Sequence, residues 1–340
     1  MTNHDTPFPA GKLPLEFLDA LLSQYTRTDE RLVKGPRVGE DVAVIDMGDR
    51  YMVVKTDPIT FATDQIGWYA VHVNANDVVT SGARPLWMLN TVLLPTESTT
   101  PALVEGIFCQ LHEACESLGI VLVGGHTEVT WGLDRPIVVG VLIGEVPRER
   151  LLTTAGAQEN DQVLLVKGIP IEGAAIIARE RYAELLRRGM ERELLDRACN
   201  YLFDPGISVV QAAYIAAEHA GVHAMHDPTE GGLATGLHEL AFASGTGLRL
   251  YADRVPVLAE GAALCQAMDL DPLGVIASGA LLVAVAPEHA TALQEAYRAQ
   301  DIPCAHIADL VPQSEGIMLV DGQEQRPLPR FDTDEITRIF

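Results

Sequence analysis

A chain of 340 residues holds one large domain or two ordinary ones, and 48% apolar residues supply a real core, which excludes a disordered chain. The 24 Lys plus Arg against 47 Asp plus Glu give a net charge of −23, which argues against nucleic acid and anionic membrane surfaces as partners. Five dispersed cysteines (Cys109, Cys115, Cys199, Cys265, Cys304) without a Cys-x-x-Cys, a polar start over residues 1–12 and no long apolar run together predict a cytoplasmic protein with reduced thiols.

In chain order, residues 13–25 read as a short amphipathic helix, with Leu15, Leu18 and Leu22 on one face. Residues 42–45 and 51–54 read as strands about the turn at Gly48-Asp49. A helix is expected over 68–81 before Gly82, then a strand over 86–94 stopped by Pro95. The clearest helix is 98–118: Leu103, Ile107, Leu111, Ala114 and Leu118 form one stripe, Pro101 suits the first turn and Gly119 the exit. Strands are expected at 120–123 and 137–143. Composition changes over 147–161, where a domain boundary is placed. Beyond it, 162–166 and 280–286 read as strands. Residues 173–188, 191–200, 206–219, 232–244 and 288–300 read as helices. No internal repeat or low-complexity tract is visible.

Five short acidic stretches punctuate these elements: Gly39-Glu40-Asp41, Lys55-Thr56-Asp57, Asn76-Asp77, Gly124-Gly125-His126-Thr127-Glu128 and Asp227-Pro228-Thr229-Glu230-Gly231-Gly232. Each is expected at a strand end, or at the start or polar face of a helix, where α/β proteins build sites. Carboxylates gathered there repel one another unless a cation joins them, and hard oxygen ligands suit Mg²⁺, which usually arrives with phosphate. The plainer readings are a turn Asp at Asp57, solvent-facing polar residues at Asn76 and Asp77, and a Gly-Gly hairpin at Gly124-Gly125. At 227–232 the plainer reading is a helix cap by Thr229 or Asp227.

Other signals carry less. Gly168-Ile169-Pro170-Ile171-Glu172-Gly173 has phosphate-loop spacing, but Ala174-Ala175 replaces the required Lys-Ser/Thr. Lys55 and Lys167 sit at strand ends and could reach phosphate, or be ordinary surface lysines. His219, His223 and His226 suggest a transition-metal cluster, but Gly221 is expected to break the helix between the first two.

The ordered set of motifs resembles the superfamily of aminoimidazole ribonucleotide (AIR) synthetase, thiamine-monophosphate kinase, selenophosphate synthetase and the hydrogenase maturation protein HypE. It runs from about Leu13 to about Val311. The resemblance is closest to HypE at Asp227-Pro228-Thr229-Glu230-Gly231-Gly232-Leu233-Ala234, and Val73-Asn74-Ala75-Asn76-Asp77 matches the family's most recognisable helix. It implies a two-domain α/β fold, with a dimer-forming, ATP-binding domain at 1–150 and a second α/β domain at 156–340. N-terminal domains in this family pair into a homodimer around a β-barrel. ATP and Mg²⁺ are implied cofactors, with Asp41, Asp57 and Asp77 as metal ligands. Asn76, Gly124, Gly125 and Thr127 are implied phosphate or nucleotide contacts, closed over by Asp227, Thr229, Glu230, Gly231 and Gly232.

The departures concern the acceptor. HypE proteins end in Pro-Arg-Ile-Cys, whose thiol carries the reacting group, whereas this sequence ends Thr337-Arg338-Ile339-Phe340. Glu128 stands where HypE-like proteins have Lys, His126 where an acid is expected, and Ser278-Gly279 where they carry an acid. Glu230 replaces an Arg. The expected function is Mg–ATP-dependent phosphorylation of a carbonyl, amide or similar oxygen on a small-molecule or protein-borne acceptor. The alternatives are a small-molecule kinase resembling thiamine-monophosphate kinase and a non-catalytic nucleotide-binding protein of a maturation complex.

Overall fold

The computed structural model describes residues 8, 13–36, 41–60, 64–331 and 333–340; Gly39 and Glu40, and most of the polar N-terminal stretch, lie outside them. Helix α1 (Leu15–Tyr25) leads into β1 (Leu32–Lys34), β2 (Ala43–Asp46) and β3 (Arg50–Ile59), followed by α2 (Ile66–Thr80), β4 (Arg84–Pro95), α3 (Pro101–Leu118), β5 (Val121–Thr130) and β6 (Ile137–Pro147). Among the described residues these strands form one sheet of order β1-β2-β3-β6-β4-β5. β4 and β5 pair in parallel because α3 carries the chain back across the sheet between them, as a parallel pair requires. Helix α3 starts as its sequence directs: Pro101 lies in the first turn and the Thr100 hydroxyl accepts the Leu103 N–H at 3.2 Å. Gly119 closes the helix at φ +66°.

The second half holds β7 (Gln162–Val166), α4 (Glu172–Arg187), α5 (Arg192–Asn200), α6 (Val210–Glu218), β8 (Val222–His226), α7 (Gly232–Ser244), β9 (Gly247–Tyr251), α8 (Ala259–Met268), β10 (Leu281–Val285), α9 (Pro287–Arg298), β11 (Cys304–Val311), β12 (Ile317–Asp321) and β13 (Glu324–Pro327). Its sheet runs β13-β12-β9-β11-β7-β10-β8. Every residue of β10 is buried, which is why it reads as an unbroken apolar run. One hydrophobic core spans the α2 face of the first sheet and the α4–α6 face of the second, and a smaller core fills the α7 side.

Two features differ from expectation. Gly124-Gly125 is not a strand tip: β5 runs straight through it, and a Cβ on Gly125 would lie 1.9 Å from the Asn90 carbonyl oxygen, so the glycine permits close approach of two strands. Strand β5 is exposed along nearly its whole length, including Val121, Val123 and Val129, and Trp131 just beyond it is 86% exposed. Among the described residues no helix is long and apolar enough to cross a membrane.

Candidate functional site

Helix α2 builds the site because it is buried on nearly all sides; only Trp68 within it escapes full burial. Its polar residues therefore need partners inside the protein. Asn74 finds them in the carbonyls of Ala70 (2.8 Å) and Asp57 (3.3 Å), which ties α2 to β3. Asp77, one turn further on, faces Lys55 of β3. The ammonium lies 3.1 Å from Asp77 Oδ2, within ion-pair range though off the line of a hydrogen bond, and 3.7 Å from Asp57 Oδ2.

Asp41, at the entry to β2, and Asp227, at the exit of β8, complete the group. One carboxylate oxygen from each of Asp41, Asp77 and Asp227 lies within 4.8 Å of the other two. Both oxygens of Asp227, together with Asp77 Oδ2, are buried without a hydrogen-bond donor. Three converging carboxylates with orphan buried oxygens fit a hard divalent cation such as Mg²⁺. Burial, reinforced by Asp41, pushes the Asp227 carboxyl up to about 7. Burial also raises Asp77 well above the usual carboxylate range, against the opposing pull of Lys55. For Lys55 burial disfavours the charge, yet Asp77, Asp57 and Asp41 outweigh it and hold the amine protonated.

His226 supports this group from behind. Its ring is buried, with Nδ1 3.3 Å from Asp41 Oδ2 and Nε2 3.0 Å from Glu239 Oε2. Burial opposes its charge, but these two carboxylates raise its pKa well above the ordinary value. The three histidines suggested as a metal cluster go separate ways, since His223 pairs with Asp161 at 2.9 Å.

The turn from Asp227 to α7 is shaped by glycine. Gly231 and Gly232 have φ of +78° and +66°, and a Cβ on Gly232 would meet the Leu273 carbonyl at 2.5 Å. The N-cap position of α7 is held by Gly231, not by Thr229 or Asp227, the capping candidates in the sequence. The anchor is Asp334, far along the chain, whose carboxylate accepts the N–H groups of Gly231 (2.7 Å), Ile276 (3.2 Å) and Ile336 (2.8 Å). Burial moves that carboxyl up to about 6 despite these bonds.

Other expected residues fall elsewhere. Asn76 is fully buried and latches the two halves together: its Nδ2 donates to the Ile207 carbonyl and its Oδ1 accepts the Val209 N–H, each at 2.8 Å. Asn76, expected as a nucleotide contact, thus serves as a backbone clamp in this structure. Asp57 stands beside Lys55 and is not part of that three-acid cluster, whereas Asp227, expected as a nucleotide contact, is part of it. Gly124, Gly125 and Thr127 lie on the outer strand β5, with β4 and β6 between it and β3. There His126 and Glu128 pair with each other at 3.0 Å. Lys167 is neither a surface lysine nor a free phosphate ligand; its Nζ donates to the carbonyls of Pro205, Gly206 and Ser208.

Glu172, at the start of α4, was hidden inside the failed phosphate-loop pattern. It lines a cavity with Asp57, Ile59, Thr229, Glu230, Ile276 and Ser278. Burial pushes its carboxyl up to about 8, and a hydrogen bond from Ser278 offsets part of that.

Two acid-bearing sheets joined at a buried carboxylate cluster define the class to which the chain belongs. Residues 39–146 match the N-terminal domain, and residues 158–321 the C-terminal domain, of the AIR synthase related proteins, and the chain is a member of that family. Within it the resemblance is to HypE. The chain is 30% identical over 316 residues to the carbamoyl dehydratase HypE of Cupriavidus necator, covering 87% of this chain and 86% of the relative. It is 28% identical over 341 residues to the selenide, water dikinase of Trichlorobacter lovleyi, covering 90% and 93%. A crystal structure of HypE in complex with ATP superposes with a TM-score of 0.69 at 22% identity, covering 93% of this chain and 91% of that one.

Proposed function

We propose that this protein is an Mg–ATP-dependent phosphoryl-transfer enzyme, HypE-like in its nucleotide site and divergent in its acceptor. The observation that carries the reading is the convergence of Asp41, Asp77 and Asp227, with both buried oxygens of Asp227 lacking a hydrogen-bond donor. Those three residues would hold Mg²⁺, which when bound neutralises charge on a transferring phosphoryl group. Lys55 adds a fixed positive charge beside it. Thr229 and Glu230 line the approach from the second half. The ATP complex of HypE and the dikinase name of a second relative support ATP as the phosphoryl donor.

We assign residues 1–150 to the nucleotide-binding, dimer-forming domain and 156–340 to the second. Pairing of two copies through the exposed strand β5 is the role proposed for that strand. Gly124, Gly125 and Thr127 would then reach nucleotide only in the assembled dimer. Calorimetric titration with ATP, with and without Mg²⁺, followed by a phosphate-release assay on the same sample, tests the reading. Tight binding confined to Mg²⁺ is the expected result. A phosphorylated metabolite in place of free phosphate would favour the kinase alternative.

A further inference from the structure

Lys167 stands in a backbone conformation that few side chains adopt. It follows β7 at φ +70°, in the left-handed region that favours glycine, and Gly168 comes directly after it. A lysine held where glycine would be relaxed needs a task for its side chain that outweighs the strain. The backbone is pinned there, because the Lys167 N–H donates to the Pro303 carbonyl at 2.7 Å.

The side chain runs to the segment between α5 and α6. Its ammonium donates to the carbonyls of Pro205 (3.1 Å), Gly206 (2.8 Å) and Ser208 (2.7 Å), which uses all three of its N–H bonds. Among the described residues no carboxylate comes into ion-pair range of it; Asp204 acts on the charge only from further off. The charge is therefore met by carbonyl dipoles, as a bare monovalent cation is held. The same segment turns its other polar groups to α2, where Asn76 grips the Ile207 carbonyl and the Val209 N–H. Residues 205–209 thus lie between two clamps, Lys167 and Asn76. His72, one turn before Asn76, feels the ammonium as well: burial first, and the Lys167 charge second, push its ring down to about 3. Asn76 adjoins Asp77 on this buried helix, so the placing of the segment bears on the carboxylate assigned to Mg²⁺.

We propose that Lys167 is a built-in monovalent cation: its ammonium fills a carbonyl cage at residues 205–208 that would otherwise take K⁺ or NH₄⁺, and the filled cage positions Asp77 through Asn76. Ammonium and K⁺ are close in size and both are served by carbonyl oxygens, whereas Na⁺ is smaller. Wild type accordingly needs no K⁺. The cage stands by itself, while its effect on nucleotide rests on the Mg–ATP reading.

The test removes the ammonium in two ways. Lys167→Gly empties the cage and relaxes the backbone; Lys167→Met fills it with an uncharged chain. Melting temperature and, by calorimetry, Mg–ATP affinity are measured at pH 7, below the amine's lowered value of about 8. The salts are KCl, NH₄Cl, NaCl and choline chloride at one ionic strength. Wild type should give the same values in all four. In choline both variants should melt below wild type and bind Mg–ATP about tenfold more weakly, a typical coupling between linked sites. K⁺ and NH₄⁺ should restore Lys167→Gly in both measurements, with Na⁺ less effective, and no salt should restore Lys167→Met. A glycine variant that stays unfolded in K⁺ and NH₄⁺ overturns the proposal. So does equal recovery in every salt, recovery of Lys167→Met, a wild type that responds to K⁺, or a variant that matches wild type in choline. Recovery of melting temperature without recovery of affinity overturns the positioning role and leaves the cage. If wild type binds no Mg–ATP, the nucleotide reading falls and the melting temperatures alone decide the cage.

Discussion

Lys55→Met removes the ammonium that pairs with Asp77 and Asp57, while keeping most of the side chain's apolar bulk. At 3.1 Å and an effective dielectric of 20, attraction to Asp77 alone is about 5 kcal/mol gross. Asp57 adds little, because its side chain is one-third exposed (33%) and water screens it. The cost of burying both charges reduces the net worth of the pair, but removing one partner leaves Asp77, 4% exposed, without compensation. Breaking a buried pair in this way costs about 3–5 kcal/mol. In a chelator the variant should therefore melt on the order of 10 °C below wild type. Added Mg²⁺ should restore a large part of that loss, since it enters a site with more uncompensated negative charge. Differential scanning fluorimetry with EDTA and with a magnesium series measures both effects. A variant as stable as wild type in EDTA, with no extra response to magnesium, would refute the reasoning.

Glu172 gives a pH prediction. Its carboxyl is near 4.5 when unfolded and about 8 when folded, so from pH 4.5 to 8 the native state keeps a proton that the unfolded state releases. Stability is full below 4.5 and falls through that window by up to about 1.4 kcal/mol per pH unit. Glu172→Gln should flatten the slope and gain on wild type at pH 8; parallel urea-denaturation profiles would contradict it. Asp334→Ala leaves three backbone N–H groups unserved and should cost about 3 kcal/mol, while also loosening the Gly231-Gly232 turn and weakening nucleotide affinity. Equilibrium unfolding and calorimetry read the two effects separately. Asn76→Ala should destabilise by about 2 kcal/mol through loss of the clamp on Ile207 and Val209. If Asn76→Ala instead keeps full stability and loses only nucleotide affinity, the structural role given to Asn76 is wrong.

What was legible in the sequence was local. The amphipathic stripe of α3, its Pro101 and Gly119, and the bounds of β7 and α7 follow from periodicity and punctuation within a few residues. Motif order also pointed to the family. Long-range relations were not visible. Nothing local marks Lys55 as facing α2, or Asp334 as the partner of Gly231, 103 residues away. Asn76 and Asp77 look alike in sequence, yet one points at backbone carbonyl and amide groups and the other at Lys55. Gly124-Gly125 was misplaced because paired glycines usually mark turns, whereas here one of them lets β4 and β5 approach. Glu172 could have been found by noticing an acid opening a helix whose next six residues are all small or apolar, but its cavity depends on Ser278 and Ile276.

The most direct test of the account is calorimetric titration of ATP into wild type and Asp77→Asn, each with and without Mg²⁺. The account predicts magnesium-dependent binding by wild type, none by the variant, and matching circular dichroism for the two proteins. Equal ATP affinity in both, or affinity indifferent to magnesium, would contradict the assignment of Asp41, Asp77 and Asp227 as the metal and nucleotide centre.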